Sequence, residues 1–217
     1  MSDFYDTRHR QLQDEFGSRE LADGLEQAIV HSEFQPHEEA FISSRDMMFL
    51  TTIDQKMRPT VSHKGGDPGF VKVLNSSTLV FPSYDGNGMF LSMGNLDANP
   101  EVGMLFIDFE KPNRLRLQGR AEIVRDHPLM VAYPEAHFLI QVGVSQLWVN
   151  CPRYVHHYEK VAASPYVPRL GAETPIAAWK RIEGLQALLS EADQVLAKQT
   201  GYLTQEEYAA NLANGVV

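Results

Sequence analysis

The stretch that decides the fold is VGMLFIDFEKPNRLRLQGRAEIV, residues 102–124. Its second half, residues 113–124, alternates apolar and polar side chains, which is the period of a β-strand with one face in water. The apolar members are Leu115, Leu117, Ala121 and Ile123, and the polar members are Arg114, Arg116, Arg120 and Glu122. The segment VGMLFIDF is apolar on both faces, so we expect it in the centre of a sheet or at a subunit contact.

Five further β-rich runs lie on either side of this stretch and are separated from one another by turn residues. They are MMFLTTI (47–53), RPTVSHK (58–64), FVKVL (70–74), TLVFP (78–82) and a run over residues 138–149. Residues 54–56 and 75–77 have the composition of tight connections. Seven strands at this spacing predict an antiparallel barrel or sandwich.

The two ends of the chain have helical patterns instead. Residues 8–45 predict helices interrupted at Pro36. Near the other end, Thr174 is predicted to cap a helix that ends at Gly201, and Thr204 begins a capping box for a last short helix. The predicted organisation is a helical cap over 1–45, a β domain over 46–160 and a helical tail over 161–217, packed on the barrel or on a partner.

Composition restricts the classes of function. The 217 residues include 28 acidic and 19 basic side chains, for a net charge of -9. No run of Lys or Arg could follow a nucleic-acid backbone, so we expect no nucleic-acid partner. We also expect no membrane segment, because no stretch of about 18 apolar residues is present. A single cysteine, Cys151, and no apolar signal core predict a cytoplasmic protein.

The common catalytic motifs are missing. The sequence has neither HExxH nor paired CxxC, and the adjacent His156 and His157 would point to opposite faces of a strand, so no metal site is predicted. There is no GxSxG elbow. Cys151 is interpreted as a small buried apolar side chain.

Two glycine-rich segments could instead bind a phosphate. SHKGGDPGF (62–70) offers Ser62, His63 and Lys64 beside backbone amides. In SYDGNGMFLSMGNLDANP (83–100), a short helix over residues 89–99 would place its N-terminal amides near Asn87 and Gly88. Ordinary turn formation explains both segments equally well.

Cations gather in the middle of the sequence, where a phosphate on a protein of this net charge would need them. They are Arg58, His63, Lys64, Lys72, Arg114 and Arg116.

In its order of segments, the chain resembles the pyridoxamine-5′-phosphate oxidase-like family of FMN-binding split barrels. The resemblance covers residues 47–124 and includes RPTVSHK, TLVFPS, a connection ending in LDANP, VGMLFIDF and NRLRLQGRAEIV. It implies an antiparallel split β-barrel with flanking helices, working as a homodimer with FMN at the subunit interface.

The resemblance also implies site residues. The family's FMN-contacting strand corresponds to Arg58, Val61, Ser62, His63 and Lys64, its phosphate-side loop to Pro82, Ser83, Asn87 and Gly88, and a flavin-edge position to Arg114. Many relatives carry an Arg-Lys or Ser-Arg-Lys phosphate clamp where this chain has Asn87-Gly88-Met89. The expected phosphate ligands are therefore backbone amides, Arg58 and Lys64.

A second departure concerns the substrate. The vitamin B6 enzymes of this family carry a C-terminal Trp and an Arg-x-His segment, whereas this chain reads QLWVNCPRYVHHYEK, so we do not predict vitamin B6 synthesis. NCPRY resembles a subgroup of flavin-binding relatives, which implies that Arg153 and Tyr154 line the substrate side.

The predicted function is that of an FMN-dependent oxidoreductase. Bound FMN would accept a hydride at N5 from NAD(P)H and reduce a small-molecule acceptor that the sequence does not identify. Two alternatives stay open, namely a non-catalytic flavin-binding protein for storage, sensing or stress, and the same barrel binding a deazaflavin or haem.

Overall fold

A computed structural model describes residues 4–216 of the chain. Its strands are β1 Met47–Ile53, β2 Pro59–Gly65, β3 Lys72–Asn75, β4 Thr78–Ser83, β5 Glu101–Asp108, β6 Asn113–Val124 and β7 Phe138–Asn150. Its helices are α1 Thr7–Glu15, α2 Arg19–Ile29, α3 Pro36–Ser43, α4 Leu91–Ala98, α5 Glu191–Thr200 and α6 Gln205–Ala213. Short 3₁₀ turns cover Pro128–Ala132, Ala178–Arg181 and Glu183–Leu188.

All seven strands form one antiparallel sheet in the order β2-β1-β5-β6-β7-β4-β3. The predicted mainly antiparallel sheet with flanking helices is therefore confirmed. β5 lies between β1 and β6, the central place that its two apolar faces predict. The order leaves β2 and β3 as edges, so strand pairing within residues 4–216 does not close the sheet into a barrel.

The larger core cluster lies on one face of the sheet, which we call the inner face. In β6 the alternation expected from the sequence is observed, since Leu115 and Leu117 are buried while Arg116 is exposed. Met104 of β5 is paired with Leu117, and both belong to the core. Burying such side chains stabilises the fold by about 1.5–3 kcal/mol each.

An extra residue in β7 bends the long β6–β7 ladder. Gln118 is paired with Gln146 but Gly119 with Val144, so Ser145 has no direct opposite residue. At this irregularity a Cβ atom on Gly119 would lie 2.4 Å from the carbonyl oxygen of Gly143. Only glycine allows the two strands to approach so closely.

The N-terminal helices follow the predicted pattern with one additional break. Gly17, at a φ of 62°, separates α1 from α2. α3 begins at Pro36, the residue at which the sequence predicts the interruption between helices. The buried Glu38 carboxylate accepts a hydrogen bond from the backbone N–H of Gln35 and contacts His31 Nε2 at 2.9 Å.

The chain divides into two compact units, Met1–Val161 and Ala162–Val217. In the second unit, the prediction of a helix capped by Thr174 is wrong. The chain forms two 3₁₀ turns there, because the backbone around Ile182 pairs with Leu203: the N–H of Glu183 donates to Leu203 O, and the N–H of Leu203 donates to Arg181 O.

The last two helices of this unit have side-chain caps. α5 begins after Ser190, whose hydroxyl accepts from the backbone N–H of Asp193, and it ends at the expected Gly201. α6 has the capping box predicted at Thr204. Across residues 4–216, every helix is too short or too polar to cross a bilayer.

A candidate anion-binding site between β2 and α4

Strand β2 places its side chains alternately on the two faces of the sheet. Lys64, Ser62 and Thr60 are paired with the buried Met48, Leu50 and Thr52 of β1, so all three point to the inner face. Val61 and His63 point to the outer face and are exposed. The predicted FMN-contacting strand is therefore divided between two surfaces.

Helix α4 packs against the inner side of β1 and β6 and reaches β2 through side-chain hydrogen bonds. It buries Met93 and Leu96 against the core. Its Ser92 hydroxyl donates to Ser62 Oγ at 3.1 Å, which joins the first turn of the helix to the middle of β2.

One turn further along, a buried polar contact fixes α4 on the sheet. The side-chain amide of Asn95 donates to Thr52 Oγ1 at 3.0 Å and lies 3.4 Å from Thr60 Oγ1. The two threonine hydroxyls are 3.0 Å apart. Because Asn95 and Thr52 are buried, these hydrogen bonds offset the cost of removing polar groups from water.

The N-terminus of α4 is open for an acceptor. The helix begins at Leu91, two residues later than the sequence predicts. Its N-cap is Phe90, which adopts a left-handed conformation at φ 48° and has no side-chain acceptor for the amides of the first turn. Free N–H groups and the helix dipole together favour an anion at this point.

Lys64 lies one inner-face position beyond Ser62, about 7 Å along the strand. Its side chain is half-buried, and this burial lowers the pKa of the ammonium group. Within residues 4–216 no carboxylate forms an ion pair with it. A partly desolvated cation beside two hydroxyls and an open helix end is well suited to a bound anion.

The connection from β4 to α4 lies at the edge of this site. Pro82 is buried in β4, and Ser83 is its last residue. Asn87 and Gly88 are exposed, with the Asn87 side-chain oxygen accepting from the N–H of Met89. The loop therefore brings its backbone, rather than a cationic clamp, towards α4.

Tyr84, in the same connection, is half-buried. Burial raises the pKa of its phenol, and the nearby Asp67 and Glu135 raise it further. The side chain therefore stays neutral at physiological pH and can donate a hydrogen bond.

Two predicted residues lie away from Lys64. Arg58 sits in the β1–β2 turn and forms an ion pair with Asp54 at 2.6 Å, about 20 Å along β2 from Lys64. Arg114 points to the outer face and donates from Nη2 to the carbonyl oxygen of Cys151 at 2.8 Å. Ser62 and Lys64 therefore share the inner face of β2, and Ser62 contacts the first turn of α4, whereas Arg58 lies in the β1–β2 turn and Arg114 on the outer face.

The predicted substrate-side residues follow β7 in an exposed turn. The guanidinium carbon of Arg153 lies 6.0 Å from the ring centre of Tyr154, which is itself 87% exposed. Cys151 is exposed as well, so its interpretation as a buried apolar side chain is wrong. The chain leaves the sheet at Asn150, and this removes Cys151 from the core.

Three residues of the site were not identified from the sequence: Thr60, Ser92 and Asn95. Thr60 shares the strand period of Ser62 and Lys64, a signal that was available. Ser92 and Asn95 lie three positions apart on α4 and so face one side of it, but only the packing of α4 shows that this side meets β2.

An open antiparallel β-sheet with a short helix packed on its inner face defines the structural class. The sequence profile described as pyridoxamine 5′-phosphate oxidase matches residues 34–146, which are 113 of the 217 residues. The chain belongs to this family.

Solved structures with a similar fold include HupZ from Group A Streptococcus, at 13% identity and a TM-score of 0.45, covering 58% of this chain and 99% of that one. A putative pyridoxamine 5′-phosphate oxidase from Lactobacillus delbrueckii has 18% identity and a TM-score of 0.44, with coverages of 54% and 95%. The haem storage protein HutZ from Vibrio cholerae has 21% identity and a TM-score of 0.41, with coverages of 54% and 94%. Among curated proteins, no sequence matches the chain.

Proposed function

We propose that the protein is an FMN-dependent oxidoreductase whose cofactor phosphate binds between β2 and α4. The observation that carries the proposal is Lys64, a half-buried cation without a carboxylate partner in the described chain. It lies two residues along β2 from Ser62, on the same face as the Ser62–Ser92 hydroxyl pair. A phosphate dianion would compensate this charge and accept hydrogen bonds from both hydroxyls and from the first amides of α4.

The residues present fit the phosphate end of FMN. Ser62, Ser92 and Lys64 would hold the phosphate, while Asn95 keeps α4 in place beneath it. When bound, the flavin supplies two-electron chemistry, accepting a hydride from NAD(P)H for transfer to a small-molecule acceptor. The protein then needs no triad or metal, and its part is to bind and orient.

We propose further that the working form is a homodimer with the flavin at the subunit interface. The outer face of β1 and β5 is apolar where these strands pair, with Phe49 of β1 opposite Leu105 of β5, and both side chains are only half-buried. Such a face is expected to be covered by another surface. A second copy would cover it and bring its own residues towards the cofactor.

The absorption spectrum of freshly purified protein tests the cofactor. We expect the two visible bands of FMN at close to one flavin per chain, and their rapid anaerobic loss on addition of NADPH or NADH. A stable yellow protein that neither nucleotide reduces would support a non-catalytic flavin-binding role. A deazaflavin or haem spectrum would show the proposed cofactor to be wrong.

Sedimentation velocity tests the dimer at micromolar concentration. We expect a mass of two chains, and Leu105→Asp should shift it towards one chain while flavin content falls. A monomeric wild-type protein that holds a full complement of flavin would contradict the shared site.

A further inference from the structure

A cavity of about 410 Å³ lies between the first two helices and strand β7. Arg10 of α1 lines it on one side, and Asp23, Glu26 and Gln27 of α2 line it on another. Gln146 of β7 completes its polar lining. The volume is in the range of small-molecule binding sites in proteins.

The charges around this cavity do not balance. Nη1 of Arg10 donates to Asp23 Oδ1 at 2.5 Å, and Nη2 lies 3.8 Å from Glu26 Oε2. One guanidinium group therefore faces two carboxylates, and the described residues that line the cavity have one net negative charge. The side chains of Arg10 and Glu26 are only 22% and 18% exposed, so water and salt screen these charges incompletely.

The pKa of Tyr5 reflects the same imbalance. The guanidinium carbon of Arg10 lies 4.8 Å from the centre of the Tyr5 ring. Burial raises the pKa of this phenol, the carboxylates of Glu26 and Asp23 raise it further, and Arg10 lowers it. Two acids therefore act against one cation at a side chain that is in contact with the cavity lining.

Two carboxamides in the cavity lining have no partner among residues 4–216. The side chains of Gln27 and Gln146 form no hydrogen bond with a described residue, and each offers an oxygen that accepts and an NH₂ group that donates. Phe4 and Val30 add apolar surface to the same cavity. Phe4 packs edge-on against Trp148, with the ring centres 5.1 Å apart, which fixes this apolar side on β7.

We propose that this cavity binds a small organic cation, namely a protonated amine on a short alkyl chain, such as a polyamine. The ammonium group binds the carboxylates of Asp23 and Glu26, and the alkyl chain lies against Phe4. A compact ammonium group with three N–H donors suits carboxylate and amide oxygens. An anion is disfavoured, because Arg10 already donates from Nη1 to Asp23 and to Gln13 Oε1.

This site is separate from the one at Lys64 and goes beyond the proposed function. Gln146 is paired with Gln118, the neighbour of the inward-pointing Leu117, so it lies on the outer face of β7, whereas Lys64 points to the inner face of β2. Three strands, β1, β5 and β6, separate β2 from β7. Amine binding requires no flavin, so either proposal can fail alone.

Calorimetric titration of the full chain at low salt tests the site with putrescine, with its neutral analogue 1,4-butanediol and with the dianion succinate. We expect putrescine to bind at least tenfold more tightly than butanediol, and succinate not to bind. Glu26→Gln keeps the Arg10–Asp23 pair and should weaken putrescine binding by about tenfold. Gln146→Leu removes an amide without changing the charge and should weaken it by about threefold to tenfold.

Glu39→Gln supplies the matched control. Glu39 is an exposed acid in the first turn of α3 and does not line the cavity, so this variant removes an equal charge elsewhere. We expect it to bind putrescine as the wild type does. The proposal is overturned if putrescine binds no more tightly than butanediol or succinate, if Glu26→Gln and Gln146→Leu bind within twofold of wild type, or if Glu39→Gln loses as much affinity as Glu26→Gln. Unchanged melting temperatures of these variants show that folding is intact, and Gln146→Leu decides the outcome if Glu26→Gln does not fold.

Discussion

Replacing Lys64 by methionine should weaken flavin binding without weakening the fold. Methionine keeps an unbranched side chain on the inner face beside the buried Met48 but removes the charge. Charge-assisted hydrogen bonds to a phosphate contribute about 1.5–3 kcal/mol, so we expect FMN to bind about tenfold to a hundredfold more weakly. Fluorescence titration of flavin-free protein with FMN measures this change.

Although Lys64→Met should weaken FMN binding, it should not lower the stability of the flavin-free protein. Burial lowers the pKa of Lys64 in the folded state, so below that pKa the ammonium is charged and its desolvation costs stability. This cost is relieved as the pH rises through the folded pKa towards the unfolded value of 10.5. Lys64→Met should therefore be at least as stable as wild type in urea at pH 7, with a difference that shrinks towards pH 10.5.

Arg58→Met is the matched control, because Arg58 lies on the same β1–β2 pair but is already neutralised by Asp54. It should leave the FMN affinity unchanged. Our reasoning about the site would be refuted if Lys64→Met bound FMN as tightly as wild type, or if Arg58→Met weakened binding as much as Lys64→Met does.

Three further predictions concern the fold. Gly119→Ala should lower the free energy of unfolding by about 1–3 kcal/mol, because its Cβ would lie 2.4 Å from Gly143 O. The control Gly143→Ala, whose Cβ would have its nearest neighbour at 4.0 Å, should stay within about 1 kcal/mol of wild type. Equal losses for the two variants in urea titrations would contradict this. Arg45→Met should cost about 3 kcal/mol by leaving the buried Asp108 without its partner at 2.8 Å, while Arg120→Met, which breaks an exposed pair with Glu101, should cost under about 1 kcal/mol. Burial raises the pKa of Tyr133 above its usual 10.0, so the contribution of this phenol to stability is fully present below pH 10 and is lost as the pH rises further. Tyr133→Phe should lack this alkaline loss when the free energy of unfolding is measured from about pH 9 to 11.

The strands could be predicted because each is defined by a local period of two. β1 and β6 have the bounds that the sequence predicts, and the others differ by one or two residues at one or both ends. Their order in the sheet could not be predicted in this way, because β5 pairs with β1 across more than forty intervening residues, which no local pattern records. The error at Thr174 has a similar origin, since pairing with Leu203 replaces a locally favoured helix.

The candidate site was predictable in part. Alternation along β2 separates Ser62 and Lys64 from Val61 and His63, but only the pairing with the buried residues of β1 shows which set faces inward. The start of α4 was misplaced because Phe90, a bulky residue, takes a left-handed conformation that its type disfavours. Contacts between Ser92 and Ser62 depend on that start and on the path of the whole connection.

The unpaired edges of the sheet bear on how the protein behaves in concentrated solution. A free strand edge can add a strand from another molecule and so start aggregation. β3 limits this risk by being only four residues long with an irregular register, and β2 begins with Pro59, which has no N–H to donate. Lys64 adds an inward-pointing charge, which also disfavours pairing of this edge with a strand of another molecule. We therefore expect the side chain that we assign to phosphate binding to oppose aggregation as well. Lys64→Met should precipitate at lower protein concentration than wild type even where its free energy of unfolding is unchanged.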